Sequence, residues 1–181
     1  MATGILLLRL TIGLTLAAHG AQKLFGWFGG LGLEQAGQAF DALGFKPGRR
    51  HAMLAGLVEI GAGVLLALGL AAPLAAAVVL SVMMVAAVSV HGRNGFFITE
   101  GGYEFNVVFG AAAWTIAFTG PGPYSLDAAL GRATGGEAWG LTAFVVAAIG
   151  AGGQLAQRRA ASQPTPQKVR HEHEQDRATG A

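Results

Sequence analysis

Six ionisable side chains that fall in or beside long apolar runs have the types and spacing suited to chemistry. They are Arg9, His19, Lys23, Glu59, His91 and Glu104. A charged side chain in an apolar medium is costly, so it pairs with a counter-charge, loses its charge or serves a function. Histidine and lysine donate hydrogen bonds to carbonyl groups, and a protonated glutamate can pass on a proton. The sequence therefore predicts a buried polar cluster whose residue types suit hydrogen bonding and proton transfer.

The first apolar run places three of these side chains on one helix face. At about 100° per residue, Lys23 lies roughly 40° and His19 roughly 80° from Arg9 on the helical wheel. A stripe of small residues runs beside this face, formed by Gly13, Ala17 and Ala21. Small residues let a second helix approach closely, so this sector of the helix is expected to face protein.

The expected cluster gathers at one end of the helices. Glu59 lies about 12 Å inside its apolar run at 1.5 Å per residue, and His19 lies about as deep. Glu59 then needs His19, Arg9 or Lys23 as its partner, with Arg9 reaching in from the far side. Plainer interpretations stay open. In these, Lys23 extends its charge to the membrane surface, Arg9 and Glu59 form a structural ion pair, and His91 is an interfacial end residue.

A glycine-rich loop, HGRNGFFITEGGYEFN, follows the third apolar run. Its candidate functional residues are Asn94, Gly95, Phe96, Phe97, Glu100 and Gly101. Glycines permit a tight turn with accessible backbone, and the two phenylalanines could dip into a membrane interface. Contact with a ligand or partner and simple membrane anchoring both remain open for this loop.

Composition sets the class of protein that holds these residues. The chain is 12% charged and 52% hydrophobic, whereas soluble domains carry about 25% charged residues. Residues 60–90 contain no charge, and Gly69 with Pro73 predicts a turn that divides this stretch between two helices. Spanning helices need about 20 apolar residues. The predicted spans cover about residues 4–24, 51–70, 73–91, 104–119 and 138–157.

The predicted fold is an all-α polytopic membrane helix bundle. Residues 1–137 would form a four-helix core, residues 138–157 a fifth transmembrane helix, and residues 158–181 a disordered basic tail. Between the first two spans, the spacing of Leu33, Ala36, Phe40 and Leu43 predicts a short amphipathic helix at the interface. No metal site is predicted, because the His171–His173 stretch is interpreted as part of a solvated tail.

The distribution of basic residues predicts the orientation. With five spans, all 12 Lys and Arg residues except Arg9 and Arg132 fall on one side. The positive-inside rule makes that side cytoplasmic, which puts the N-terminus outside and the C-terminus in the cytoplasm. The expected location is a plasma membrane. The expected surroundings are the lipid bilayer. No nucleic-acid partner is expected, and homo-oligomers could form through the small-residue faces of the helices.

Three segments together resemble the DoxX family of small bacterial membrane proteins. They are LLLRLTIGLTLAAHGAQKLFGWFGG, the glutamate-led stretch Glu59–Gly63, and HGRNGFFITEGGYEFN. The resemblance covers roughly residues 4–130 and implies a four-helix membrane bundle. It also implies that the six ionisable residues named first match the polar positions of the family. The helix over 138–157 and the basic tail depart from the family pattern.

Two main hypotheses of function follow, the first drawn mostly from the family. The family takes its name from a membrane subunit of a thiosulfate:quinone oxidoreductase, and relatives are connected with thiol or oxidative stress. The resemblance thus implies an accessory, not self-sufficient, subunit of a quinone-linked oxidoreductase complex. The chain has no cysteine and no evident intrinsic cofactor motif, so quinone is the cofactor to consider and electrons would come from a partner subunit. The alternative is a non-enzymatic scaffold or anchor for a soluble partner. A small-solute transporter is a less favoured third hypothesis, because no inverted repeat is evident.

Overall fold

Residues 2–162 are described in the computed structural model, and within that range the regular elements are all helical. The long helices are α1 Ala2–Phe25, α3 Gly48–Leu68, α4 Ala72–Ala86, α5 Glu104–Thr119 and α7 Glu137–Ser162. The short helices are α2 Gly32–Ala42 and α6 Leu126–Ala129, with 3-10 turns at Trp27–Gly29 and Ile98–Glu100. α4 continues without a break into a π-helical turn, Ala87–His91. The predicted tail lies outside the described residues from 163 onward.

Helices α1 and α3 pack antiparallel through their small residues. Gly13 lies against the backbone of Gly63, and Gly20 lies against Gly56, so there is no room for a side chain at either position of α1. Ala17 also lies against Gly63, as expected for the predicted small-residue stripe. Close approach of this kind is how helices associate in lipid, where apolar burial gives no advantage over the solvent.

Each of the remaining long helices runs antiparallel to the long helix before it. Along α5, Asn106 contacts Met83 and Gly110 lies beside Leu80, so α5 runs antiparallel to α4. α7 returns along α5, where the Trp114 indole N–H donates to the Gly140 carbonyl oxygen at 2.8 Å. The bundle therefore has two ends. The Lys23 end gathers the C-terminal ends of α1, α4 and α7, and the Arg9 end gathers their N-terminal ends.

A tight turn joins α3 to α4, as the sequence predicts. α3 ends where Gly69 adopts a left-handed conformation with φ 65°, and α4 begins with Pro73 in its first turn. The orphan amides at the start of α4 are capped from a distant segment. The Asp127 carboxylate accepts hydrogen bonds from the Ala71 and Ala72 amides, each at 2.9 Å. A carboxylate is the charge that a helix N-terminus favours.

Within residues 2–162, four helices are long and apolar enough to cross a membrane, which together with many exposed apolar side chains makes this an all-α multi-pass membrane bundle. They cover Ala2–Phe25, Gly48–Leu68, Ala72–His91 and Glu137–Arg158. α5 has 16 residues, or about 24 Å of helix, which is short of a hydrocarbon core of about 30 Å. A fifth span over 104–119 thus stays a prediction, although α5 does run from one end of the bundle to the other.

Two further elements bear on the sequence-based expectations. The amphipathic helix is present as α2, with Ala36 buried and with Trp27 and Phe28 exposed just before it. α7 continues to Ser162, five residues past the predicted end of the last span. The sequence of that extension, Arg-Arg-Ala-Ala-Ser, consists mostly of strong helix formers, so the change from apolar to basic side chains does not end the helix.

Candidate functional site

A cavity of about 710 Å³ opens at the Lys23 end of the bundle, between α1, α3, α4, α5 and α7. Its walls are mainly apolar, and this volume lies in the range typical of small-molecule sites. The polar residues that line it are His19, Lys23, His51, Glu59, Ser81, Ser89, His91, Asn106 and Gln154. Within residues 2–162, no group of three or more His, Asp or Glu side chains is arranged to hold a metal ion.

An ion pair between α1 and α3 forms one wall of this cavity. Lys23 Nζ lies 2.7 Å from Glu59 Oε2, and the Lys23 ammonium also lies 3.4 Å from the His19 carbonyl oxygen. The Glu59 side chain is only 6% exposed, whereas Lys23 keeps 26% of its side chain exposed. An ammonium group has three N–H donors. With two directed at protein oxygens, Lys23 has a third donor for a molecule in the cavity.

The His19 ring stands beside this pair and faces α5. Its centroid is 6.3 Å from that of Phe105, in an edge-to-face arrangement. Both residues line the cavity. The contact links α1 to the start of α5, so the imidazole is held between the ion pair and an aromatic wall.

The π-helical turn at the end of α4 supplies three more lining residues, Ser89, Val90 and His91. Such turns are frequent at functional sites because they displace side chains from the regular helical positions. His91 Nδ1 lies 2.7 Å from the Gly101 carbonyl oxygen. A carbonyl oxygen can only accept, so Nδ1 carries the hydrogen, and Nε2 is the acceptor of the neutral ring. His91 is thus positioned by the loop that follows it.

Asn106 is a lining residue absent from the six sequence candidates. It is 5% exposed, and its amide Nδ2 lies 3.7 Å from Met83 Sδ, while its amide oxygen is buried without a hydrogen-bond partner. A sequence signal for it exists. Asn106 lies three, four and seven residues before Phe109, Gly110 and Ala113, which are buried on the same face of α5. A polar residue on a buried stripe marks a polar site inside the bundle.

Glu104 is not among the residues that line the cavity, which departs from the expected cluster. Its carboxylate accepts a hydrogen bond from the Ile98 amide at 3.0 Å, and its own amide donates to the Phe96 carbonyl oxygen at 2.8 Å. These bonds fold the loop back on the start of α5. Glu104 therefore shapes the loop, because a short reach to backbone amides satisfies its carboxylate there.

The loop candidates also divide by position. Gly101 lines the cavity, and the Asn94 amide donates to the Gly101 carbonyl oxygen at 3.2 Å. Phe96 and Phe97 are 42% and 62% exposed, and their rings meet edge to face. Gly95 and Glu100 are exposed too and are not among the lining residues. The loop thus meets the cavity through Ile98 and its Gly101–Gly102 segment.

Arg9 lies at the opposite end of the bundle, which corrects its expected place in the cluster. Its side chain is fully buried and donates through Nη2 to the Tyr124 carbonyl oxygen, with its guanidinium packed against Gly69. Asp127 is the anion that acts on it electrostatically. The Arg9–Glu59 ion pair, one of the interpretations that the sequence leaves open, is not formed, because Glu59 pairs with Lys23. Because α1 and α3 are antiparallel, Arg9 faces Gly69 at the end of α3, about three turns beyond Glu59.

Helix α2 and the residues after it close the cavity at its outer edge, through Phe40, Leu43 and Phe45. Arg158 at the end of α7 holds this segment. Its Nε lies 2.6 Å from the Leu43 carbonyl oxygen, and its guanidinium lies 5.9 Å from the centre of the Phe45 ring. α7 also lines the cavity through Val146, Gly150 and Gln154, so the helix predicted as an addition to the core forms part of the site.

Among the comparisons with known proteins, the comparison with protein families gives a match. No curated protein matches the chain, and no solved structure matches it either. The DoxX family model matches residues 4–92. That segment contains α1 to α4 with His19, Lys23, Glu59 and His91, while the rest of the glycine-rich loop, Asn106 and α7 lie beyond it. On this match, the chain belongs to the DoxX family.

Proposed function

We propose that this protein is the membrane subunit of a quinone-linked oxidoreductase complex and that the cavity at the Lys23 end holds the quinone. The observation that carries the proposal is an apolar cavity with a hydrogen-bonded Lys23–Glu59 pair in its wall. A DoxX protein of this kind would be an accessory subunit whose electrons come from a partner that carries a redox cofactor. Links to thiol or oxidative stress belong to the same proposal.

The lining residues suit a quinone on chemical grounds. A quinone has two carbonyl oxygens on a flat ring and an apolar tail, so it needs hydrogen-bond donors at its head and apolar walls beyond it. Lys23 and His19 supply donors on one wall, and the Asn106 amide oxygen, which has no hydrogen-bond partner, marks a further polar position in the lining. Apolar residues of α4 and α7, among them Val78, Val82 and Val146, line the space between helices where a tail would lie.

A quinone, when bound, would supply two-electron, two-proton redox chemistry. The chain's part is to bind and orient the headgroup and to handle protons. Lys23 Nζ would donate to a headgroup oxygen, and Glu59, 2.7 Å from that nitrogen, would hold the ammonium in place. Lys23 and Glu59 together form a proton-carrying pair at the edge of an apolar space, where few other groups could take that role.

Quinone content tests this proposal directly. The protein would be extracted in mild detergent from a membrane that contains quinone, and co-purified quinone would be measured by mass spectrometry. We expect stoichiometric quinone in the unmodified protein and a loss of about tenfold or more in His19→Ala and Glu59→Gln. Glu137→Gln is the matched control, because Glu137 is exposed at the Arg9 end. Absence of quinone, or equal quinone in all variants, would overturn the proposal.

Orientation and partners form part of the same proposal. The Lys23 end would face the cytoplasm of a bacterial cell, with the inner membrane around the bundle and the N-terminus outside. A redox partner, soluble or membrane-bound, would then dock at the Lys23 end. The chain contains no native cysteine, so single cysteines report the topology cleanly. Thr99→Cys should label from the cytoplasmic side alone, and Ala129→Cys from the outside alone; the reverse pattern would contradict this orientation.

An anchor for a soluble partner is the second candidate function. One observation favours it: α2 presents an exposed polar face at the Lys23 end, where the Glu34 side chain is 78% exposed and lies 3.6 Å from Arg49. Under that hypothesis the cavity would be structural. Recovery of a soluble protein with the unmodified chain and with Glu59→Gln alike, and without quinone, would support the anchor over the quinone subunit.

A further inference from the structure

Asn106 presents an acceptor that the protein itself leaves unused. Its side chain is buried with 5% exposure and lines the cavity, and its Oδ1 has no hydrogen-bond partner. A buried amide oxygen without a partner costs free energy, and native structures rarely keep one without reason. Because Asn106 lines the cavity, we expect its amide oxygen to accept a hydrogen bond from a molecule that occupies the cavity.

Met83 fixes which way this amide points. Nδ2 of Asn106 lies 3.7 Å from Met83 Sδ. A thioether sulfur can accept a hydrogen bond and cannot donate one, so the N–H group belongs on the side of Met83. Oδ1 is therefore the atom without a partner, and a molecule in the cavity has to place a hydrogen-bond donor beside it.

The Lys23 wall of the cavity has the complementary character. Lys23 offers N–H donors and no acceptor, because its ammonium is paired with Glu59. An occupant that satisfies both sides must accept at the Lys23 wall and donate at Asn106. A quinone ring accepts only, whereas a hydroquinone hydroxyl both accepts and donates.

We infer that Asn106 is a specificity-determining residue that accepts a hydrogen bond from a hydroxyl of the occupant, so the cavity binds a para-hydroquinone more tightly than the corresponding quinone. The inference rests on the proposed function, since it concerns the same cavity. Loss of a hydrogen bond to a buried polar group costs enough to weaken binding by about tenfold.

Binding of paired ligands to the full chain in detergent tests the inference. The probes are a decyl-tailed benzoquinone, its hydroquinone kept reduced under argon, and the di-O-methyl ether of that hydroquinone, which keeps the oxygens and deletes the donors. Equilibrium dialysis gives each dissociation constant without any turnover. We expect the hydroquinone to bind about tenfold more tightly than either other probe. Equal binding of all three would overturn the role of Asn106 while leaving the proposed function intact, and no binding of any probe would overturn both.

Variants assign the preference to this side chain. In Asn106→Leu, the hydroquinone should lose its advantage over the quinone, and the penalty for the ether should disappear with it. Persistence of that penalty in Asn106→Leu would mean that the ether fails through bulk and would overturn the inference. Asn94→Leu makes the same replacement at a residue that does not line the cavity, and it should keep the tenfold preference. Should Asn106→Leu fail to fold, the quinone–hydroquinone pair on the unmodified protein still decides, since it adds no bulk.

Discussion

The two ends of this bundle both hold charged groups within apolar helices, but only one of them leaves space beside the charge. Arg9 is fully buried in packed protein, whereas the Lys23 side chain is 26% exposed beside a cavity of about 710 Å³. The charge alone does not separate a functional residue from a structural one. What separates them is whether a ligand could reach the charged group.

The Arg9 end uses its charges to close the fold. Arg9 donates to the Tyr124 carbonyl oxygen, and Asp127 caps the first turn of α4 from the α6 segment. These contacts tie the chain after α5 back onto α1, α3 and α4. At the Lys23 end, Lys23 and Glu59 link two helices only and leave the rest of their surroundings to the cavity.

Replacement of Arg9 should have the largest effect on stability. Arg9→Met leaves Asp127 without its buried counter-charge and the Tyr124 carbonyl without its donor. Loss of a buried counter-charge together with a buried hydrogen-bond donor should cost about 3 kcal/mol. Unfolding in mixed micelles, followed by tryptophan fluorescence, would measure this loss. Arg93→Met is the matched control, since Arg93 is exposed and should change the free energy of unfolding by less than about 0.5 kcal/mol. Similar stabilities for both variants would erase the contrast between the two ends.

Replacement of Glu59 should have the reverse profile, with a small effect on stability and a large one on binding. In Glu59→Gln, Lys23 keeps access to the cavity and can remain hydrated, so unfolding should become easier by only about 1–2 kcal/mol. Quinone or hydroquinone affinity should fall by about tenfold, because the ammonium is no longer held in place. Dialysis and unfolding on the same preparation, with Glu137→Gln alongside, would measure both. A loss of stability as large as that of Arg9→Met would make Glu59 a structural residue.

The sequence predicts structure well where the physical rule involves only residues that are close together along the chain. Charge-free runs and their lengths predict the helices, and Gly69 with Pro73 predicts the turn between α3 and α4. The small-residue stripe predicts which side of α1 another helix approaches. Helical spacing alone places His19 and Lys23 on one face, and the two are found on the same cavity wall.

Sequence reasoning fails where the partner comes from far along the chain. Arg9 shares a helix face with Lys23, but its depth in the bundle matches Tyr124 and Asp127, which no periodicity links to it. Glu104 is satisfied by its own loop, and that depends on the conformation of the loop rather than on its composition. Asn106 carries a local signal, the buried stripe of α5, but it stands at the end of the glycine-rich segment, where the composition indicates a loop.

Asp127 offers a smaller test of the Arg9 end. Asp127→Asn keeps one oxygen for the α4 amides but removes the charge that suits a helix N-terminus and faces Arg9, so unfolding should become easier by about 1 kcal/mol. Asp41 is the natural comparison at the Lys23 end, because its carboxylate accepts from the Gly48 amide at 2.8 Å while the residue is exposed. Asp41→Asn should cost less, since water can replace what is lost. Equal costs would mean that burial of Asp127 adds nothing.

Replacement of Asn94 should have the smallest effect, and it tests whether the glycine-rich loop belongs to the binding site or only borders the cavity. Asn94→Ala removes one exposed hydrogen bond to the Gly101 carbonyl oxygen, which His91 also contacts, so the free energy of unfolding should fall by about 0.5 kcal/mol. Hydroquinone affinity should stay within about twofold, because His91 still holds the Gly101 backbone. His91→Phe, which deletes the stronger contact and a polar lining group together, is the informative companion in the same dialysis measurement. If Asn94→Ala weakened binding as much as His91→Phe, the glycine-rich loop would belong to the site rather than to its frame.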